Sequence, residues 1–237
     1  MTKYAYYVDL GICAGCEACT VACQNVNGLD YDMRYTKISR HMQGTYPNVT
    51  SMFVVNQCLH CDDPACASVC PTGATYKTSE GPVKVDYDKC IGCKYCMTAC
   101  PYEARTFDEE ANVVRKCSLC YDRMAQGEQP ACVQTCLTGA RMIGDMENPD
   151  DPIHAAIAQD GVVKVEGTSF YFRVPPGFDR NLVPENFQAA GITFAWQSIF
   201  QPVGQIMLGG TVGALLVSMA VNAVKSMRKE GAEHGDH

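Results

Sequence analysis

Cys13, Cys16, Cys19 and Cys23 stand at C-x2-C-x2-C-x3-C spacing, and Cys90, Cys93, Cys96 and Cys100 repeat it. Cys58, Cys61, Cys66 and Cys70 form C-x2-C-x4-C-x3-C, and Cys117, Cys120, Cys132 and Cys136 form C-x2-C-x11-C-x3-C. These four groups take up all 16 cysteines of the protein. Three thiolates at two-residue gaps on one loop can grip three corners of an iron–sulfur cubane. The x3 step turns the fourth away, where in two-cluster ferredoxins it ligates the other cluster. Pro101 after Cys100 completes that pattern and Pro71 after Cys70 follows it, while Gln24 and Leu137 depart from it without removing a thiol. Gly15 and Gly92, between the first two cysteines of their groups, suit a loop whose backbone must approach a cluster closely.

Other uses of cysteine fit less well. Tetrahedral zinc sites normally carry two pairs separated by a longer spacer, and disulfides need no such regularity. The chain, at 237 residues, is also long enough to build a hydrophobic core without bridges. There is no C-x-x-C-H for covalent haem and no C-x3-C-x2-C for a radical-forming cluster. Every group offers four thiolates, so no iron is left open for substrate and the chemistry expected is passage of single electrons. Acidic residues outnumber basic ones 26 to 19, for a formal charge of −7, which disfavours nucleic acid as a partner. Four cubanes at about −2 each, ligand charges included, would take the total to about −15. Lys94, Arg105, Arg115, Lys116, Arg123 and Arg141 lie near cysteines, where they either offset that charge or form ordinary solvated surface. His60, between Cys58 and Cys61, is the one histidine placed to tune a cluster.

An internal repeat runs beneath the groups. Val8-Asp9 precedes Cys13 as Val85-Asp86 precedes Cys90, and Pro64-Ala65-Cys66 matches Pro130-Ala131-Cys132. Thr72-Gly73-Ala74 after Cys70 matches Thr138-Gly139-Ala140 after Cys136. The elements that must position the thiols are short. Ala74–Lys77 with Val83–Asp86, and Ala104–Phe107 with Asn112–Lys116, read as hairpins, with short helices after the cysteine loops. Residues 27–56 are an insertion, with Met52–Val55 its expected strand. Beyond Ala140, residues 145–160 hold one or two helical turns and residues 162–174 one or two strands. Pro175-Pro176-Gly177 marks a linker. The repeat allows groups one with two and three with four to share clusters, or one with four and two with three.

The stretches VDLGICAGCEACTVAC, NQCLHCDDPACASVCPTGA, VDYDKCIGCKYCMTACPYEAR and RKCSLCYDRMAQGEQPACVQTCLTGAR resemble the four-cluster iron–sulfur subunits of the dimethyl sulfoxide reductase family of molybdenum or tungsten enzymes. Polysulfide, tetrathionate and dimethyl sulfoxide reductases and membrane formate dehydrogenases have such subunits. The resemblance covers roughly residues 4–147. It implies four [4Fe-4S] clusters in a nested arrangement: Cys13, Cys16, Cys19 and Cys136; Cys117, Cys120, Cys132 and Cys23; Cys58, Cys61, Cys66 and Cys100; Cys90, Cys93, Cys96 and Cys70. Some relatives lose a ligand in the third group and hold a [3Fe-4S] cluster, but Cys93 is present here. It also implies two partners: a large bis-pterin molybdenum or tungsten catalytic subunit and an integral membrane subunit that handles quinone.

The expected fold class is α+β, two ferredoxin-like dicluster units followed by a C-terminal transmembrane helix. Residues 1–147 hold the clusters, 148–185 are a strand and loop extension, 186–202 a linker near the membrane, and 225–237 a polar tail. Val203–Val224 has 22 residues without a charge and would span roughly 33 Å as a helix, about a bilayer core. Gly209 and Gly213 form a G-x-x-x-G on it. Lys225, Arg228 and Lys229 follow and favour a cytoplasmic C-terminus, so the cluster body is expected on the extracytoplasmic face. The N-terminus shows no secretory signal, so export is expected bound to a partner that has one.

Overall fold

The computed structural model describes residues 3–183. The linker, the Val203–Val224 segment and the tail lie outside the described residues. Among the described residues no helix is long and apolar enough to cross a membrane.

The organising strand is β1 (Tyr4–Asp9). It carries no polar–apolar alternation because both its faces are buried. Tyr6 and Val8 pack with Phe170, Phe172, Leu59 and Val165 in the main core. Ala5 and Tyr7 pack on the other face against Ile153 and Ala156. Helix α1 (Ala18–Asn27) follows the first cysteine loop and stops at Gly28, whose left-handed backbone closes the C-cap. The insertion then forms a long ribbon, β2 (Thr36–Thr45) with β3 (Asn48–Gln57), paired antiparallel from Thr36↔Gln57 to Thr45↔Asn48. Only Met52–Val55 of this ribbon was expected as strand. β2 reads TKISRHMQGT and buries little beyond Thr36, so it lacked the apolar signal of a strand. At the turn Gly44 has φ +92, and a Cβ there would sit 2.2 Å from the Asn48 carbonyl oxygen.

Apart from the strand Arg141–Asp145, which was not expected, the short elements match the sequence reading. Helix α2 (Ala65–Ser68) leads to the hairpin β4 (Thr75–Lys77) and β5 (Val83–Val85). Helix α3 (Tyr95–Thr98) leads to the hairpin β6 (Arg105–Asp108) and β7 (Val113–Lys116). Helices α4 (Tyr121–Met124) and α5 (Ala131–Gln134) lead to β8 (Arg141–Asp145). After α6 (Pro152–Ile157), capped by Asp151, come β9 (Val162–Lys164) and β10 (Phe170–Arg173). The four-stranded sheet has the order β8-β1-β10-β9, with β1 antiparallel to β8 and parallel to β10.

Candidate metal centres

Each group opens with the same backbone turn. The second residue between the first two cysteines has positive φ in all four groups: Gly15 (65), His60 (48), Gly92 (68) and Leu119 (61). His60 and Leu119 hold a conformation that costs a non-glycine residue roughly 1–2 kcal/mol, so the turn is imposed where glycine is absent. At the two glycines a second constraint acts from outside the loop. A Cβ on Gly15 would lie 2.4 Å from the Phe53 ring, and one on Gly92 would lie 2.6 Å from the Asn112 carbonyl oxygen.

The fold brings the thiols together across the groups. Site I is a cavity lined by Cys13, Cys16, Cys19 and Cys136 with Gly15 and Arg141. Site II is lined by Cys23, Cys117, Cys120 and Cys132 with Tyr6 and Gln57. Site III is lined by Cys58, Cys61, Cys66 and Cys100 with Val83 and Tyr102. At site IV Cys70, Cys93 and Cys66 act on the Cys96 thiol, and Cys90 packs in the same small core as Cys96. The nested grouping follows from topology, since β1 and β8 pair and set the loop before α1 against α5 and the loop before β8. All 16 cysteines are free thiols. Among the described residues no three His, Cys, Asp or Glu side chains converge closely enough to hold a single metal ion. At sites I to III four thiols ring a cavity, which fits the donor set and the larger span of a cubane.

Sites I to IV also lie in sequence. Tyr6 ties the first two, with its hydroxyl 3.2 Å from the Cys132 Sγ and 3.2 Å from Arg141 Nη1. Cys58 of site III is the thiol that acts most on Cys117 of site II. Cys66 of site III acts on Cys96 of site IV.

The local chemistry differs between thiols. Burial and neighbouring thiolates push Cys23 up to about 12, and Cys61 likewise to about 12. Such thiols carry protons until iron displaces them, so cluster assembly releases protons. Cys70 and Cys136 go the other way. Burial raises each, but the amide of Thr75 at Cys70 and of Arg141 at Cys136 leads a set of donors that outweighs it. The Thr72 and Thr138 hydroxyls lie 3.7 and 3.8 Å from those sulfurs. The repeated Thr-Gly-Ala is thus a donor cradle for the fourth cysteine of its group, a role that the internal repeat marked without explaining. Tyr6 on Cys132, and Asn27 with its Nδ2 3.5 Å from the Cys23 Sγ, are further donors that spacing alone did not reveal.

The basic residues near the cysteines divide. Lys94 covers the Phe107 ring at 3.6 Å, Arg115 pairs with Asp108 at 2.6 Å and Arg123 with Glu128 at 2.9 Å. Arg105, Lys116 and Arg141 are instead buried, at 7%, 2% and 5% exposure. His60 is buried as well. Its Nδ1 accepts from the Val83 amide at 2.9 Å, and burial together with Lys116, Lys77 and Arg105 holds it well below the usual histidine range. It therefore stays neutral, one ring from Phe170, which stacks on Tyr6 at 4.9 Å.

Residues 49–146 match the family described as the 4Fe-4S dicluster domain. Over 183 residues the sequence is 39% identical to the B subunit of the sulfite dehydrogenase of Allochromatium vinosum, covering 68% of this protein and 76% of that one. It is 38% identical over 159 residues to the B component of the polysulfide reductase of Wolinella succinogenes, covering 66% and 83%. It is 38% identical over 154 residues to the B component of the anaerobic dimethyl sulfoxide reductase of Escherichia coli, covering 62% and 75%. With the thiols of different groups gathered at successive sites and this likeness over about two thirds of its length, the protein belongs to the four-cluster [4Fe-4S] electron-transfer subunits of the dimethyl sulfoxide reductase family.

Proposed function

We propose that this chain relays single electrons between a molybdopterin-type catalytic subunit and a quinone-handling membrane subunit of a respiratory complex, and has no catalytic site of its own. The observation that carries the reading is three cavities each lined by four thiols from two groups, with Cys70, Cys93 and Cys96 gathered at a fourth site. The ligands are Cys13, Cys16, Cys19 and Cys136 at site I and Cys23, Cys117, Cys120 and Cys132 at site II. They are Cys58, Cys61, Cys66 and Cys100 at site III and Cys70, Cys90, Cys93 and Cys96 at site IV. The clusters supply one-electron redox chemistry when bound. The protein's own residues hold the sulfurs, keep water from the buried sites, and place amide and hydroxyl donors on Cys70, Cys132 and Cys136, which favours the more negative reduced form. Relatives named as subunits of a sulfite dehydrogenase, a polysulfide reductase and a dimethyl sulfoxide reductase support the assignment to such a complex.

The membrane attachment belongs to the same proposal. Val203–Val224 crosses the bilayer, the cluster body faces the extracytoplasmic side, and the C-terminus is cytoplasmic.

Anaerobic purification of the native complex tests the reading. The expected result is a co-purifying large subunit, about sixteen irons per chain, and absorbance near 400 nm that bleaches on reduction. A chain that carries its irons but always comes alone points instead to a stand-alone carrier. Zinc without that absorbance overturns both. Release of the intact chain from membranes by high salt alone overturns the spanning helix.

A further inference from the structure

We propose that Arg105, Lys116 and Arg141 are the buried counter-charges of the electron path, one at each step between neighbouring sites. The inference rests on the ligand sets given above. Arg141 lines site I, and its Nη1 bonds both the Tyr6 hydroxyl at 3.2 Å and Gln57 Oε1 at 2.7 Å, two residues that line site II. Its Nη2 donates to Thr36 Oγ1 at 2.9 Å. Lys116 stands between sites II and III, with its Nζ donating to the carbonyls of Cys117 and Val83. Arg105 stands between sites III and IV. Its Nη1 donates to Thr75 Oγ1 at 3.2 Å, and the Thr75 amide lies 3.5 Å from Cys70 Sγ. Its Nη2 is buried without a hydrogen-bond partner among the described residues, and the Cys66 thiolate acts on the guanidinium.

Among the described residues none of the three has a carboxylate within ion-pair distance. An unpaired buried cation costs several kcal/mol, so these positions make sense only beside another anion. Among the described residues, the groups of negative charge that act on the two arginines are cysteine thiolates, with Tyr6 at Arg141, and Lys116 bonds the carbonyl of the ligand Cys117. Burial lowers the pKa of both arginines, yet the Cys66 and Cys96 thiolates at Arg105, and Tyr6 with the Cys132 and Cys19 thiolates at Arg141, more than reverse it.

The internal repeat explains the even distribution. Arg105 and Arg141 each stand five residues after the last cysteine of their group and open the following strand. Both belong to the second repeat; the first has Gly28 and Thr75 at that place. Pairing groups one with four and two with three gives each pair one arginine. Pairing in chain order would put both in one pair and none in the other. A cation at each step lowers the cost of placing the extra electron on either flanking cluster, so it raises both potentials together and keeps the step between them shallow.

The test is an EPR-monitored redox titration of the purified complex, with each signal assigned through single Cys→Ser variants. Arg141→Met should lower the potentials of sites I and II by at least a tenfold shift in the reduction equilibrium, 59 mV for a one-electron couple, and leave III and IV unmoved. Arg105→Met should do the reverse, and Lys116→Met should move II and III. Unchanged potentials, or an equal shift of all four signals in every variant, overturn the proposal. Where a Met variant loses irons, the charge-conserving variants Arg141→Lys and Arg105→Lys decide. Full iron with near-native potentials supports the counter-charge role, and loss of the same irons overturns it in favour of packing. A wild-type complex without four assignable clusters would instead refute the ligand sets.

Discussion

Sites I and II and sites III and IV use one loop design in two very different scaffolds. The first pair is set in the main core, between the four-stranded sheet, the ten-residue helix α1 and the β2–β3 ribbon. Its arginine is held by Tyr6, Gln57 and Thr36. The second pair has two short hairpins, four-residue helices and a small core of Cys66, Val83, Cys96 and Val114. Its arginine has one hydroxyl partner. The ligand loops of the second pair are thus built on little scaffold, and bound clusters would cross-link them. The extra structure around the first pair joins distant parts of the chain and fixes Arg141 from three sides.

The largest expected contrast lies in the two cores. Phe172→Ala, at a fully buried position of the main core, should cost about 3–5 kcal/mol. Val83→Ala in the small core removes two methyl groups and should cost about 2 kcal/mol. Anaerobic thermal melts that follow the visible absorbance would read this as a clearly lower midpoint for Phe172→Ala, and equal midpoints would erase the contrast.

Next come the loop glycines. Gly15→Ala and Gly92→Ala should each lose roughly 1–2 kcal/mol from the left-handed backbone, plus the cost of a close contact. The obstacle at Gly15 is a side chain and at Gly92 a carbonyl oxygen. Adding Phe53→Ala should therefore restore iron retention in Gly15→Ala, whereas Asn112→Ala should not restore it in Gly92→Ala.

A smaller effect tests what the two pairs share. Thr72→Val and Thr138→Val each remove one hydroxyl from a sulfur, at site IV and site I. Each should lower only its own site's potential, by less than the 59 mV of a tenfold one-electron shift, and by matching amounts. Unequal shifts would show that the scaffold, not the repeat, sets the local field.

The smallest effect concerns pH. Asp108 caps the β6–β7 turn, accepting from the Ala111 amide at 2.9 Å, and pairs with Arg115. The Ala111 amide and then Arg115 hold its carboxyl below the usual range. A lowered folded pKa stabilises above the unfolded value of about 3.9 and loses that stabilisation as pH falls through the folded value. The destabilisation caused by Asp108→Asn should then be constant from pH 8 to about 5 and shrink only below about 4. A change near neutral pH would assign it to another group.

The sequence was most legible where the structure is local. The hairpins around 75–85 and 105–116 were found to within a residue, because Gly-rich or acidic turns flank short apolar runs. The sites were legible as four groups because iron needs thiols at fixed spacing, but the internal repeat left their pairing open. What decides the pairing is the β1–β8 contact, and β1 escaped notice because its two buried faces erase the period-two pattern. β2 escaped for the opposite reason, having almost no buried face. Arg105, Lys116 and Arg141 were visible as basic residues near cysteines. Arg105 and Arg141 share a place five residues after the last cysteine of their groups, but nothing local distinguished Lys116 from Lys94, Arg115 and Arg123, since burial is a property of the assembled fold.

The parallel pairing of β1 with β10 sets an order of biogenesis. Arg105 and Thr75 meet across 30 residues, Arg141 and Tyr6 across 135, and Arg173 and Asp9 across 164. Closing a longer loop is entropically dearer and slower. During synthesis the thiols of sites III and IV can gather once the chain has passed the β6–β7 hairpin. Cys13, Cys16, Cys19 and Cys23 are made first, yet their site partners emerge late and β10 later still. The first cysteines translated are thus the last to be enclosed, and they wait longest within reach of oxidants and stray metal ions. The complete thiol sets of sites I and II therefore exist only after Cys136 has been made.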